Sequence, residues 1–257
     1  MPPPPSLSVS TFLWPAHLPL RNRCAVAATA LALFSAALLC AAAPLLLPPS
    51  ALPASLARAS LYCSLLSGFH LGEWLWSAAH EGAAADWGAF LLDANAPAYQ
   101  LALAASAVEW ALGAWLAPAL KSSCAALAGA GGLLAAAGLA LRVAAMWRAG
   151  ASFAHRVAER APPPGGLVTG GVYALWRHPA YAGWAYWALG SQLLLLNPLC
   201  VVIYTITVSA FFTDRIAGEE AALRRFFGER YDEYARRTIV GIPCVRVASA
   251  PAKARVD

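Results

Sequence analysis

Apolar residues run in long blocks along this chain, broken by short polar and proline-rich stretches. Blocks at about 24–47, 54–79, 97–117 and 123–147 each hold enough apolar residues to cross a bilayer as a helix. A further block, Tyr181–Phe212, contains no charge. As one straight helix it would measure roughly 48 Å, against a bilayer core of about 30 Å. Asn197-Pro198 stands at its midpoint. Proline removes a backbone donor there and disfavours helix in the residue before it. The pattern therefore predicts a helical hairpin of two arms, about 16 residues each, joined by a tight turn. Both polar flanks then emerge on the same side, and Arg177-His178-Pro179 becomes a neighbour of Asp214-Arg215 and Glu219-Glu220.

Composition agrees with this pattern. The chain has 257 residues, 60% hydrophobic and 12% charged, where soluble domains carry about a quarter charged. This predicts an all-α integral membrane protein of about six transmembrane helices, with a C-terminal hairpin; the cytosolic cofactor pocket is implied only by the resemblance described below. The expected layout is a single polytopic domain: an N-terminal tail 1–23, four spans in 24–147, a cytosolic loop 149–179, the hairpin 180–213, cytosolic amphipathic helices 214–243 and a tail 244–257. With six spans, Arg21 and Arg23, then Arg148, Arg156 and Arg160, then the arginines from Arg215 to Arg237 all fall on one side. The positive-inside bias makes that side cytosolic, with both termini there. Lys121 is the lone exception. Residues 1–23 read as a tail before a true span or as a leader; the length of the 24–47 run favours the tail.

The net charge of +5 is scattered, without a basic run that would suit nucleic acid. None of the six cysteines stands in a CxxC or at zinc spacing, so neither metal nor structural disulfides are expected. Glu109 and Arg142 read as an interhelical packing pair. His70 and Glu73 share a helix face, and either line a polar cavity or pair internally. Gly129-Ala130-Gly131-Gly132 follows no strand, so it reads as close helix packing rather than a nucleotide loop. Pro162-Pro163-Pro164-Gly165-Gly166 makes a loop, either a connector or a cradle of backbone donors.

The string GVYALWRHPAYAGW, from Gly171 to Trp184, resembles the signature of the isoprenylcysteine carboxyl methyltransferase family. FFTDRIAGEEAALRRFFGERYDEYARR resembles that family's C-terminal helical block, and LRVAAMWRAGASFAH and GFHLGEW its earlier segments. The resemblance covers roughly the last 190 residues. It is to the shorter, six-span, plant-like form, without two N-terminal spans of animal members. It implies methyl transfer from S-adenosylmethionine to the carboxylate of a C-terminal prenylated cysteine, in small-GTPase-like proteins already trimmed by proteolysis, at the endoplasmic reticulum. It implies cofactor contacts by Gly165, Gly166, Leu167, Val168, Tyr173, His178, Pro179, Ala180, Tyr181 and Glu219. It makes Arg215 the substrate-binding arginine and, with Glu219, a catalytic residue. Two features depart from the family: Gly165 and Gly166 stand where many relatives have polar residues, and Ala158 stands where relatives have a glutamine.

The chemistry suits these residue types. A prenylcysteine carboxylate is ionised at neutral pH and needs no base. Arg215 can hold one carboxylate as a fork. A sulfonium donor is a cation, favoured by a carboxylate such as Glu219 and by aromatic faces. Tyr173, Trp176, Tyr181, Trp184, Tyr186 and Trp187 supply such faces, although Trp176, Tyr186 and Trp187 read better as an interfacial belt. Arg215 and Glu219, four apart, would otherwise be an ordinary helix-surface ion pair. His178 before a proline would otherwise be a helix cap. Three other functions fit less well: a sterol-type NADPH membrane reductase, a phospholipid N-methyltransferase with an amine acceptor, and a non-catalytic membrane scaffold.

Overall fold

The computed structural model describes residues 52–80, 87–91, 97–155 and 166–245, with Ala30 and Leu33. Most of the expected first span, Ala158, the proline run, Gly165, the N-terminal tail and the C-terminal tail beyond Val245 lie outside the described residues. The regular elements described are helical, apart from one isolated parallel bridge between Trp176 and Ile239. They are α1 (Leu52–His80), α2 (Ala98–Leu116), a short α3 (Pro118–Ser123), α4 (Ala125–Ala149), α5 (Pro179–Leu194), α6 (Pro198–Phe227) and α7 (Glu229–Arg237). The second, third and fourth apolar blocks thus form helices within a few residues of their expected bounds. Among the described residues, Ala125–Ser152 and Pro198–Phe227 are long and apolar enough to cross a membrane.

The hairpin breaks where the sequence places it. α5 ends at Leu194, Leu196 adopts a left-handed φ of 53°, and α6 begins on Pro198. Its second arm differs from expectation. α6 runs unbroken for 30 residues, so the outer arm and the first polar helix are one element. No proline interrupts TDRIAGEEAALRRFF, and its Ala, Glu, Leu and Arg are strong helix formers, enough to carry Gly218.

Two compact units can be described separately. The first holds the described residues up to Gly132 together with Gln192–Asn197. There, His70 uses both ring nitrogens for packing: Nδ1 lies 2.7 Å from the Phe90 carbonyl and Nε2 2.9 Å from the Tyr99 hydroxyl. A carbonyl only accepts, so Nδ1 carries the proton and Nε2 accepts from the phenol. Lys121 is 1% exposed, and its Nζ donates at 2.8 Å to the Leu195 and Leu196 carbonyls and to Asn197 Oδ1. A cation there answers the negative C-terminal end of α5. Lys121 is therefore not the solvated loop charge that the orientation count treats as an exception. Asn197 completes the clasp by donating Nδ2 to the Ser106 carbonyl at 3.0 Å and to Gln192 Oε1 at 3.1 Å. Gly131 of the glycine cluster is a close-packing position, since a Cβ there would lie 2.5 Å from the Leu194 amide. Gly129 meets nothing within 4 Å.

The second unit holds Leu133–Ser191 and the chain from Pro198 on. Here α4 and α5 touch backbone to backbone. A Cβ on Gly183 would stand 2.6 Å from the Gly138 carbonyl oxygen and 2.6 Å from the Arg142 amide. Arg142 is buried and donates Nη1 to the Ala180 carbonyl at 3.2 Å, which also joins these helices. Alanine is the better helix former by about 1 kcal/mol, yet backbone cannot yield as a side chain does. Gly183→Ala is expected to cost about 1–3 kcal/mol net, read as a lower unfolding temperature in detergent.

Candidate functional site

The site is built in the second unit, where the outer ends of the hairpin meet. On the α5 side, Gly166–Val168 run without regular structure, and Gly166 takes φ 78° with open space where a Cβ would stand. Such a residue presents its backbone to a ligand without steric cost. A 3-10 turn, Gly171–Ala174, brings in Tyr173. The next residues are fastened to the end of the chain: Arg177 N donates to the Ile239 carbonyl at 2.9 Å, and Ile239 N to the Leu175 carbonyl at 3.1 Å. His178 then caps α5, its carbonyl accepting from Ala182 N at 3.0 Å, with Pro179 as the first helical residue.

Three side chains of this segment, Arg177, His178 and Tyr181, make polar contacts with α6. Tyr181 donates its hydroxyl to Glu219 Oε2 at 2.5 Å and accepts from Arg215 Nε at 2.9 Å. Arg177 Nε donates to Glu220 Oε1 at 2.6 Å, and its Nη1 to the Thr238 carbonyl at 2.7 Å. His178 Nε2 lies 3.3 Å from Glu220 Oε1, and Nδ1 lies 4.0 Å from Glu219 Oε1. Histidine 178 is thus both a cap by its backbone and a carboxylate partner by its ring. Arg215 also donates Nη2 to the His155 carbonyl and stands 5.3 Å from the Tyr181 ring centroid.

These elements enclose one cavity. Gly166, Leu167, Val168 and Tyr173 form part of its wall, as do His178, Pro179, Ala180, Tyr181 and Glu219. Every described position that the resemblance assigns to the cofactor therefore borders the same space. Arg215 does not line it, and touches it through Tyr181. Of the six aromatic candidates, Tyr173 and Tyr181 line it. Burial first, and next the Glu219 carboxylate, push the Tyr173 phenol well above its ordinary range, so it stays neutral.

The other four aromatics pack elsewhere. Trp187 is 3% exposed, Tyr186 donates its hydroxyl to the Gly241 carbonyl, and Trp176 packs over Gly241. Trp184 lies edge-on to Phe212 at 5.5 Å. Trp176 and Tyr186 therefore make tertiary contacts with the Gly241 segment, and Trp187 is buried.

A profile of the isoprenylcysteine carboxyl methyltransferase (ICMT) family matches residues 132–225. A protein-S-isoprenylcysteine O-methyltransferase of Mus musculus is 40% identical over 185 residues, 72% of this chain and 65% of the mouse protein. The match thus spans just under two thirds of the mouse protein's length. A probable protein-S-isoprenylcysteine O-methyltransferase of Oryza sativa subsp. japonica is 36% identical over 192 residues, 75% of this chain and 99% of the rice protein. The chain belongs to the isoprenylcysteine carboxyl methyltransferase family. A solved structure described as a eukaryotic intramembrane Ras methyltransferase superposes with a TM-score of 0.77 at 32% identity, over 91% of this chain and 80% of that one.

The family match includes the signature, Arg215, Glu219 and Glu220, and stops before α7. Several wall residues lie beyond what the sequence reading named. Ala222, Leu223 and Phe226 follow Glu219 at helical spacing and continue its face into the cavity. Tyr231 and Tyr234 come from α7, where Tyr234 donates to the Tyr173 carbonyl at 2.8 Å. Glu220, which the reading left unassigned, is fully buried and holds Arg177, His178 and Arg224.

Proposed function

We propose that this family member transfers a methyl group from S-adenosylmethionine to the C-terminal carboxylate of a prenylated cysteine, at the endoplasmic reticulum membrane. The observation that carries this reading is the chain Arg215–Tyr181–Glu219, with an anion-binding group and a cation-binding group hydrogen-bonded to one phenol.

The cavity suits the donor. Glu219 and two neutral phenols face a cation, while Leu167, Val168, Leu223 and Phe226 offer apolar surface to a flat base. Bound S-adenosylmethionine supplies an electrophilic methyl group. The chain's residues have to fix the acceptor and keep water away. Two N–H groups of Arg215 already have protein acceptors among the described residues, which leaves three of five for a carboxylate. Arg215 would hold one carboxylate oxygen and leave the other free to take that methyl group, giving the ester and leaving the donor as a neutral thioether. No proton moves. Two opposite charges disappear in this step, so a dry site favours it over water.

Six spans with cytosolic termini remain our reading of the membrane layout. Two apolar helix faces support lipid contact in their own units: Leu101, Val108 and Leu112 on α2, and Leu199, Val202 and Ile206 on α6 are all exposed. The prenyl chain would enter from the lipid while the protein it belongs to stays in the cytosol.

The cavity argues against the competing enzymes. Among the described residues, Arg177 is the guanidinium on the cavity wall, and Glu220 already compensates it. The 2′-phosphate of NADPH would find no uncompensated arginine cluster there. A phospholipid amine acceptor would meet Arg215, a like charge, and would need a base. Labelled-methyl transfer in lipid nanodiscs decides between the acceptors. With farnesylcysteine and geranylgeranylcysteine analogues, the expected product is a base-labile ester. Label on phosphatidylethanolamine, or none on either, would overturn the reading.

A further inference from the structure

The Tyr181 hydroxyl has more to do than border a cofactor. It sits at the midpoint of a directed hydrogen-bond chain: Arg215 Nε donates to it at 2.9 Å, and it donates to Glu219 Oε2 at 2.5 Å. The ring is clamped independently of the hydroxyl. It stacks on His178 at 5.7 Å and 12°, and meets Phe212 at 5.0 Å. Position and polarity are thus separable in this residue.

Glu219 and Arg215 share a face of α6, and no direct ion pair between them appears among the contacts described; the phenol stands between them. The other described anchor of Arg215 is the His155 carbonyl, just after a 3-10 turn. A long arginine held from one side only would sample several rotamers, at an entropic cost on binding. A charged donor–acceptor chain polarises along its length, so each bond strengthens the next.

We propose that the Tyr181 hydroxyl is a positioning group that relays the hold of Glu219 to Arg215, fixing the guanidinium for the acceptor carboxylate. The inference rests on the methyltransferase reading above. Glu219 then influences acceptor binding through Tyr181, besides meeting the donor directly.

The test is a double-mutant cycle, read with the donor saturating. Tyr181→Phe keeps both ring contacts and removes the relay. It is expected to raise the acceptor KM about tenfold, the size of one charge-assisted hydrogen bond. S-adenosylhomocysteine affinity, measured by calorimetry, is expected to stay within about threefold, because Tyr181→Phe keeps the ring that borders the cavity and both described bonds of the hydroxyl go to protein. Glu219→Gln is expected to raise the acceptor KM in the wild-type background and to add nothing in the Tyr181→Phe background. An unchanged KM in Tyr181→Phe, or independent multiplying effects in the double variant, would overturn the relay. Should Tyr181→Phe not fold, the same cycle with Arg215→Lys, which keeps charge and loses the Nε–H, is expected to show the same loss of the Glu219→Gln effect; its persistence would overturn the relay. Wild type that neither binds S-adenosylhomocysteine nor transfers methyl overturns the site reading and this inference together. Wild type that does both, beside an unaltered Tyr181→Phe, overturns the inference alone.

Discussion

Arg215→Ala is expected to lower kcat/KM for a prenylcysteine acceptor by about 2–5 kcal/mol, roughly thirtyfold to a few thousandfold. The magnitude follows from what is left behind. An acceptor carboxylate drawn into the site without its guanidinium stays ionised, poorly solvated and free to turn away from the line of attack. Donor binding should barely change, because Arg215 does not line the cavity. The signature is thus asymmetric: a large loss with the acceptor, and S-adenosylhomocysteine affinity within about threefold. Arg215→Lys should recover only part, since an ammonium cannot present the planar fork or the Nε–H that Tyr181 accepts. Steady-state kinetics with both substrates varied, alongside calorimetry, give the two numbers. Collapse of donor affinity with an unchanged acceptor KM would move Arg215 to the other substrate.

Glu220→Ala is expected to have the largest effect on the fold, about 3–5 kcal/mol. Glu220 is fully buried, and Arg177 beside it has a side chain only 13% exposed. Removing the carboxylate leaves a largely buried guanidinium and imidazole without the anion they share. Arg177 also carries the Thr238 and Ala235 carbonyls, so the loss spreads to the segment after α7. Arg224 adds less, being 28% exposed and a partner of Asp232 as well. Thermal unfolding in detergent should show a marked drop for Glu220→Ala and a smaller one for Glu220→Gln, which keeps an acceptor oxygen. Equal stability of wild type and Glu220→Ala would contradict the buried cluster.

Glu219 and Glu220 show how far the sequence could be read. Both stand in the string EE, and the resemblance pointed to the first. Which of them is buried was legible in principle: Phe212, Ile216 and Glu220 recur every four residues and are all buried, so Glu220 lies on the inward stripe of α6. The hairpin was legible because one Asn-Pro step interrupts an uncharged run too long for a straight span. The length of α6 was not, because the change from apolar to charged at Asp214 alters solvent contact without altering helix propensity. Lys121 misled for a local reason: a lysine beside serines between two apolar blocks reads as a solvated loop, and its acceptors lie some 75 residues away. Trp176 and Tyr186 meet Gly241, which likewise belongs to another part of the chain. Periodicity and breakers report neighbours along the chain; they do not report the distant backbone that a buried polar group finds.

Hydrogen exchange with and without saturating S-adenosylhomocysteine tests most directly whether two separated segments close over one ligand. The account predicts slower exchange in 166–182 and in 215–231 together, at the same ligand concentration. Protection confined to one of the two segments, or absent from both while ligand is bound, would contradict it.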